Sequence, residues 1–362
     1  EYVRGAAPHR ADAPEPTVVI FCGPGWEPWT PEQINDKGLG GSETAVCHMA
    51  EELVKRGLRV MVYAEAEGTW SGVHYRRFDK WLPQAPVWAF IAWRNPSIID
   101  APVQADIKYL WMHDTDAGPA LTKERADKFD SILVLSQWHR DHLRRKYALG
   151  TDRFTVIGNG IDARRFGGAE QREDRIVYSS SPDRGLEQAL ALWPEIRRRT
   201  GAEFHVYYGW SNFDLMGGPA DFKKQIMDLA NVGGVVWHDR IGQDELAREM
   251  MRAKGLLYPG PHPFNETFCI TALEAQAAGC VPVTRDNGAL PETNKHGFVL
   301  PNDSKPKKWF AAIQEALNAT EETRTKMRDW AQGQTWAEVA NRVIQRSIDI
   351  DSARQQQEIK LA

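Results

Sequence analysis

Two successive series of short apolar runs, alternating with helical patterns, constrain this chain more than any other feature. The first comprises 17–22, 58–64, 87–93, 107–112, 131–135 and 155–157. The second comprises 175–179, 203–208, 235–237, 255–258, 280–284 and 298–300. Such alternation predicts an α/β fold with mainly parallel sheets, because a parallel crossover needs a helix between its strands. Gly167-Gly168 and a run of charges over 162–173 separate the series, and 362 residues are long for one core. The expectation is two Rossmann-like domains facing a cleft, with ligands at the carboxyl ends of the strands.

The predicted boundaries are a linker-like extension over 1–16, an N-terminal domain over 17–165, a C-terminal domain over 170–333 and a last helix with tail over 334–362. In the last helix Trp336, Val339, Ala340, Val343 and Ile344 share one face. The chain begins at Glu1 rather than methionine, and Gly5 to Pro16 is Ala/Pro-rich. It therefore reads as excised from a longer protein or processed, with room for a further domain upstream.

A net charge of −4 and a pI near 6.2 give no electrostatic case for nucleic acid. Basic clusters at 139–146 and 197–199 read as solvated helix faces, with peripheral contact to an anionic membrane as the alternative. No apolar run reaches the roughly 18 residues of a membrane span, and no signal peptide is visible. Cys22, Cys47, Cys269 and Cys280 are scattered without metal-binding spacing, so a reducing cytoplasm is the expected setting.

The chemistry concentrates between Leu256 and Glu292. Glu266 lies in a Pro/Asn-rich loop, and Glu274 follows on a helix carrying Phe268, Ile270, Ala272, Leu273, Ala275 and Ala277. A carboxylate beside so much apolar surface needs a partner. Two carboxylates flanking a helix start suit a ligand with both hydroxyls and phosphates: oxygens accept from hydroxyls, while free amides attract the anion.

This segment resembles the donor-binding motif of the retaining family 4 glycosyltransferases, which have the GT-B fold. The resemblance rests on Glu266, Glu274, Ala275-Gln-Ala277-Ala-Gly279-Cys-Val-Pro-Val and Gly288-Ala-Leu-Pro-Glu292, the last one residue longer than the tightest form. Further elements follow in family order. Gly38-Leu-Gly40-Gly41-Ser-Glu43 opens a helix and fails the dinucleotide fingerprint at Glu43, but resembles the family's Gly-Gly-x-Glu loop. The preceding loop, 23–37, holds Trp26, Trp29 and three prolines and is expected to shape the acceptor site or a lid. His113, at a strand terminus, resembles the family's histidine near the donor sugar. Asp114-Thr-Asp116 has the spacing of a metal-binding pair, a reading the two Rossmann-like halves oppose. Val156-Ile-Gly-Asn-Gly-Ile-Asp162 resembles the segment that ends the first domain.

In the second half, Tyr178-Ser179-Ser-Ser-Pro-Asp-Arg184-Gly185 occupies the turn where the family carries two cations for the diphosphate. Here Ser179 stands for one, and Arg184 replaces the other. His238-Asp-Arg240-Ile241 resembles the base-reading segment, and Tyr208-Gly-Trp210 lines the same pocket or packs in the core.

The resemblance implies a retaining, metal-independent glycosyltransferase of hexosyltransferase type, without cofactor. It would move a sugar from a nucleotide-diphosphate donor to a glycan, lipid-linked or other hydroxyl acceptor. Glu266 and His113 would be catalytic. Gly40, Gly41, Arg184, Thr267, Phe268 and Cys269 would bind the donor phosphate, Glu274 the ribose, and Arg240 and Ile241 the base. The alternatives are a sugar-nucleotide epimerase or phosphorylase on the same fold, or a non-catalytic nucleotide-sugar-binding module.

Overall fold

Apolar runs bounded by turn residues form the strands, and in the central ones both faces are covered. In the computed structural model, residues 16–25, 28–210, 213–214, 217–260 and 265–361 are described. The chain divides into two compact units. One comprises 1–31, 40–160 and 336–362, and the other 32–39 and 161–335.

The first unit is built on β1 (Thr17–Phe21), β2 (Arg59–Ala64), β3 (Gly68–Trp70), β4 (Val73–Arg77), β5 (Val87–Trp93), β6 (Ala105–Trp111), β7 (Ser131–Val134) and β8 (Phe154–Val156). Their order is β3-β4-β2-β1-β5-β6-β7-β8, parallel except for the β3–β4 pair. That hairpin was not expected from sequence. Its strands span only three and five residues, too short for a clear period. Ser71 and Gly72 both have positive φ, which closes the two-residue turn, and Trp70 packs edge-on against Tyr75.

Helix α1 (Gly41–Lys55) buries Ala45, Val46, Met49, Ala50 and Leu53, and α2 (Gln137–Lys146) starts at the side-chain cap Ser136. The last helix, Trp336–Leu361, comes after the second unit in sequence yet belongs to the first. Trp336, Val339, Ala340 and Val343 are buried there, Arg56 donates to the Ala337 carbonyl, and Ser347 pairs with the Tyr109 hydroxyl.

The second unit carries β9 (Glu173–Ser179), β10 (Glu203–Tyr207), β11 (Val235–Trp237), β12 (Ala253–Tyr258), β13 (Val281–Arg285) and β14 (Phe298–Leu300). Their order is β11-β10-β9-β12-β13-β14, parallel throughout. The helices are α3 (Leu186–Thr200), α4 (Ala220–Ala230), α5 (Gln243–Arg252), α6 (Ile270–Ala277), α7 (Pro306–Leu317) and α8 (Glu321–Gln332). Ile176, Trp193, Phe204, Leu257, Leu273 and Trp309 sit in its core. Among the described residues no helix is long and apolar enough to cross a membrane.

Candidate active site

In the second unit the carboxyl ends of β9 and β12 and the start of α6 meet. Gly185 makes the approach possible: it has φ +94°, and a Cβ there would lie 2.4 Å from the Gly260 carbonyl oxygen. Arg184 is thereby held beside the loop that follows β12. Its backbone amide donates to the Ser181 carbonyl, which also accepts from the Tyr178 hydroxyl. Burial disfavours the Arg184 cation, but Glu266, Tyr258, Asp183 and Tyr178 together outweigh this and hold its pKa above the ordinary value.

Glu266 is fixed at both ends. Its amide donates to Asn287 Oδ1 at 2.9 Å, its carbonyl accepts from the Ala289 amide at 2.8 Å, and its Oε1 accepts from the Tyr258 hydroxyl at 2.5 Å. The helix expected from Thr267 begins at Ile270. Thr267, Phe268 and Cys269 form its approach, with Cys269 as N-cap at φ +76° and the Phe268 carbonyl held by the Thr293 hydroxyl. A left-handed conformation is uncommon for a side-chain-bearing residue and persists only where the surroundings enforce it. Ser179 hydrogen-bonds Thr271 in the first turn of α6, so it acts as a strut where a cation was expected.

Glu274 lies one turn further on, half-buried. Burial pushes its carboxyl up to about 7, against the pull of the Arg165 guanidinium. No described residue hydrogen-bonds its carboxylate. A polar group so placed has unused acceptor capacity. Arg165 is itself held by Gln243, Asn35, Asp162 and Asp244.

Arg240 and Ile241 follow β11. Arg240 lies 5.4 Å from the centroid of the Tyr208 ring, and Tyr208 has φ +128°. Trp210 stacks on Trp237 at 5.6 Å, and both pack against the core. The segment 32–39 also lies here. A Cβ on Gly38 would sit 2.6 Å from the Ile241 carbonyl oxygen, and one on Gly242 would sit 2.2 Å from that of Asn35. Part of the loop assigned to the acceptor side therefore packs on Arg240–Gly242 of the second unit, because glycines on both sides permit backbone contact. Trp26, in the same loop, lies outside the described residues.

In the first unit, Gly40 caps α1 and Gly41 opens it. A Cβ on Gly40 would lie 2.2 Å from Glu43 Oε2. His113 is buried between Trp93 and Trp111, with ring centroids at 5.9 and 4.7 Å. Burial first, then the Arg94 guanidinium and His139, holds its pKa well below the ordinary value, so the imidazole is neutral. The following loop is clamped. Arg94 makes a bidentate pair with Asp114 at 2.6 Å, His139 Nε2 donates to the Asp114 carbonyl, and His142 Nε2 to that of Thr115. Asp116 accepts from Tyr147 at 2.5 Å and pairs with Lys146 at 2.7 Å. Both carboxylates of the Asp-x-Asp element are thus engaged by protein cations.

Sequence reasoning missed Tyr258, Arg94, Arg165 and Asn287. Tyr258 ends β12 and Arg94 follows β5, so the rule that ligands gather at strand carboxyl ends would have flagged both. Arg165 and Asn287 carried no comparable signal.

Residues 165–334 match the family described as glycosyl transferases group 1. A glycogen synthase of Mycobacterium tuberculosis is 28% identical over 175 residues, 46% of this chain and 40% of that protein. The chain thus spans about two fifths of that relative's length. A D-inositol 3-phosphate glycosyltransferase of Corynebacterium glutamicum is 23% identical over 262 residues, covering 65% of this chain and 61% of that protein. A sucrose-phosphate synthase structure from Thermosynechococcus elongatus aligns with TM-score 0.69 at 13% identity, over 93% of this chain and 100% of that one. A glycosyltransferase structure from Rickettsia africae aligns with TM-score 0.67 at 12% identity, over 93% and 98%. At such identities these structures speak for the fold, two Rossmann-like domains of the GT-B type. Residues 165–334, just under half of the chain, are thus similar to the glycosyl transferases group 1.

Proposed function

We propose that this protein is a retaining glycosyltransferase that moves a sugar from a nucleotide-diphosphate donor to a hydroxyl acceptor without a metal. The observation that carries the reading is the Glu274 carboxylate, which no described residue hydrogen-bonds, on the helix whose approach holds Glu266, with Arg184 beside Glu266. Glu274 accepts the ribose hydroxyls. Arg184 and the amides at the start of α6 hold the diphosphate, a cation and a positive dipole end suiting one anion. Glu266 accepts from the donor sugar, and Arg240 and Ile241 meet the base.

In the reaction the bond from the anomeric carbon to the phosphate oxygen breaks, and its electron pair leaves with the nucleotide. The acceptor oxygen attacks from the same face, and its proton passes to the departing phosphate. Charge develops on that phosphate, so preorganised donors act where stabilisation is largest. The acceptor is a glycan, a lipid-linked sugar or another hydroxyl compound.

Donor hydrolysis and transfer across a panel of uridine and guanosine diphosphate sugars test the proposal. Turnover that falls at least tenfold in Arg184→Ala supports it. Binding of nucleotide sugars without turnover would favour a non-catalytic module, a rival that Ser179 in place of a cation keeps open.

A further inference from the structure

Among the described residues, one oxygen of the Glu266 carboxylate is hydrogen-bonded and the other is not. Tyr258 is 1% exposed at the end of β12, its ring stacks on Tyr178 at 5.9 Å, and its hydroxyl donates to Glu266 Oε1 at 2.5 Å. Among the described residues no hydrogen bond reaches Oε2. The backbone of Glu266 is anchored separately. A Cβ on Gly288, at φ +59°, would lie 2.2 Å from the Glu266 carbonyl oxygen, so only glycine lets that segment pack so closely. Cys269, held left-handed at the start of α6, is buried at 8% exposure. The phenol is therefore fixed by stacking on one side and by the carboxylate at its tip.

We propose that Tyr258 is a positioning residue: it holds Glu266 by Oε1 and leaves Oε2 as the single acceptor for a hydroxyl of the donor sugar. A carboxylate free to rotate would spread its two oxygens over several orientations. A bond to a buried phenol selects one, and preorganisation of this kind lowers the cost of binding. The proposal rests on the nucleotide-sugar reading given above.

The experiment compares calorimetric affinities for UDP-glucose and GDP-mannose with those for UDP and GDP. The variants are Tyr258→Phe, Glu266→Gln and the double change, all in the full chain. Positioning predicts that the sugar's added affinity falls at least fivefold in Tyr258→Phe, with free-nucleotide affinity unchanged within twofold. It further predicts no additional loss when Tyr258→Phe is placed on Glu266→Gln. Glu266→Asp, which keeps the charge but shortens the reach to Tyr258, should lose the same increment. A purely structural tyrosine would instead give losses that add in the double variant or fall equally on free nucleotide, and either outcome overturns the proposal. A wild-type protein that binds neither nucleotides nor nucleotide sugars overturns the functional reading, and the positioning role with it. Wild-type binding with an unaffected Tyr258→Phe overturns the positioning role alone.

Discussion

Ser179 and Thr271 share a side-chain hydrogen bond that ties the carboxyl end of β9 to the first turn of α6. The position expected to carry a cation supplies a mechanical link instead, leaving Arg184 as the cation of this turn. Ser179→Ala should lower stability by about 1 kcal/mol, the usual net value of such a bond. Urea unfolding measures this, and an unchanged midpoint would show that the strut contributes nothing.

Glu274 links stability and nucleotide binding to pH. Its carboxyl sits at about 7 in the folded protein, against an ordinary 4.5, because burial disfavours the charge. Between those values the folded state binds more protons than the unfolded state. Stability should therefore fall as pH rises through about 4.5 to 7, by about 3 kcal/mol at most, and level off above. Glu274→Gln should flatten that slope. The ionised form accepts ribose hydroxyls, so nucleotide affinity should strengthen as pH rises through about 7 in wild type only. Unfolding and calorimetry at four pH values would check both signs.

Arg94 secures the loop that carries His113. It is left-handed at φ +60°, pairs with both oxygens of Asp114 and lies 4.0 Å from Glu43. Arg94→Ala strands a half-buried carboxylate and should cost about 2 kcal/mol. A change below about 0.5 kcal/mol in denaturant unfolding would contradict that account.

Asp114 and Asp116 are held by Arg94, Lys146 and Tyr147. Sugar transfer should accordingly persist within twofold after dialysis against EDTA. Loss of turnover that magnesium or manganese restores would overturn the metal-free mechanism.

Cys269 carries a side chain where the backbone is left-handed. Glycine accepts that conformation freely but gives up the buried thiol, so Cys269→Gly should stay within about 1 kcal/mol of wild type. Cys269→Val, β-branched at the same φ, should lose more than about 2 kcal/mol. Equal effects in thermal unfolding would show that backbone strain is not what the site resists.

Two parallel-sheet halves were legible in the sequence because buried parallel strands are nearly continuous apolar runs, as in Val18–Phe21 and Leu256–Tyr258. The placement of Glu266 and Glu274 around one helix start followed from local spacing alone. The β3–β4 hairpin was not legible, since three-residue strands leave no period to read. Only the tertiary structure decided the rest. It joined 32–39 to the second unit and the last helix to the first, because such docking depends on contacts between residues far apart in the chain. It also turned Ser179 into a strut, gave Asp114 to Arg94 and set Tyr258 on one oxygen of Glu266. Local pattern fixes which face of an element is apolar; which polar groups share a hydrogen bond depends on where the strand ends meet in space.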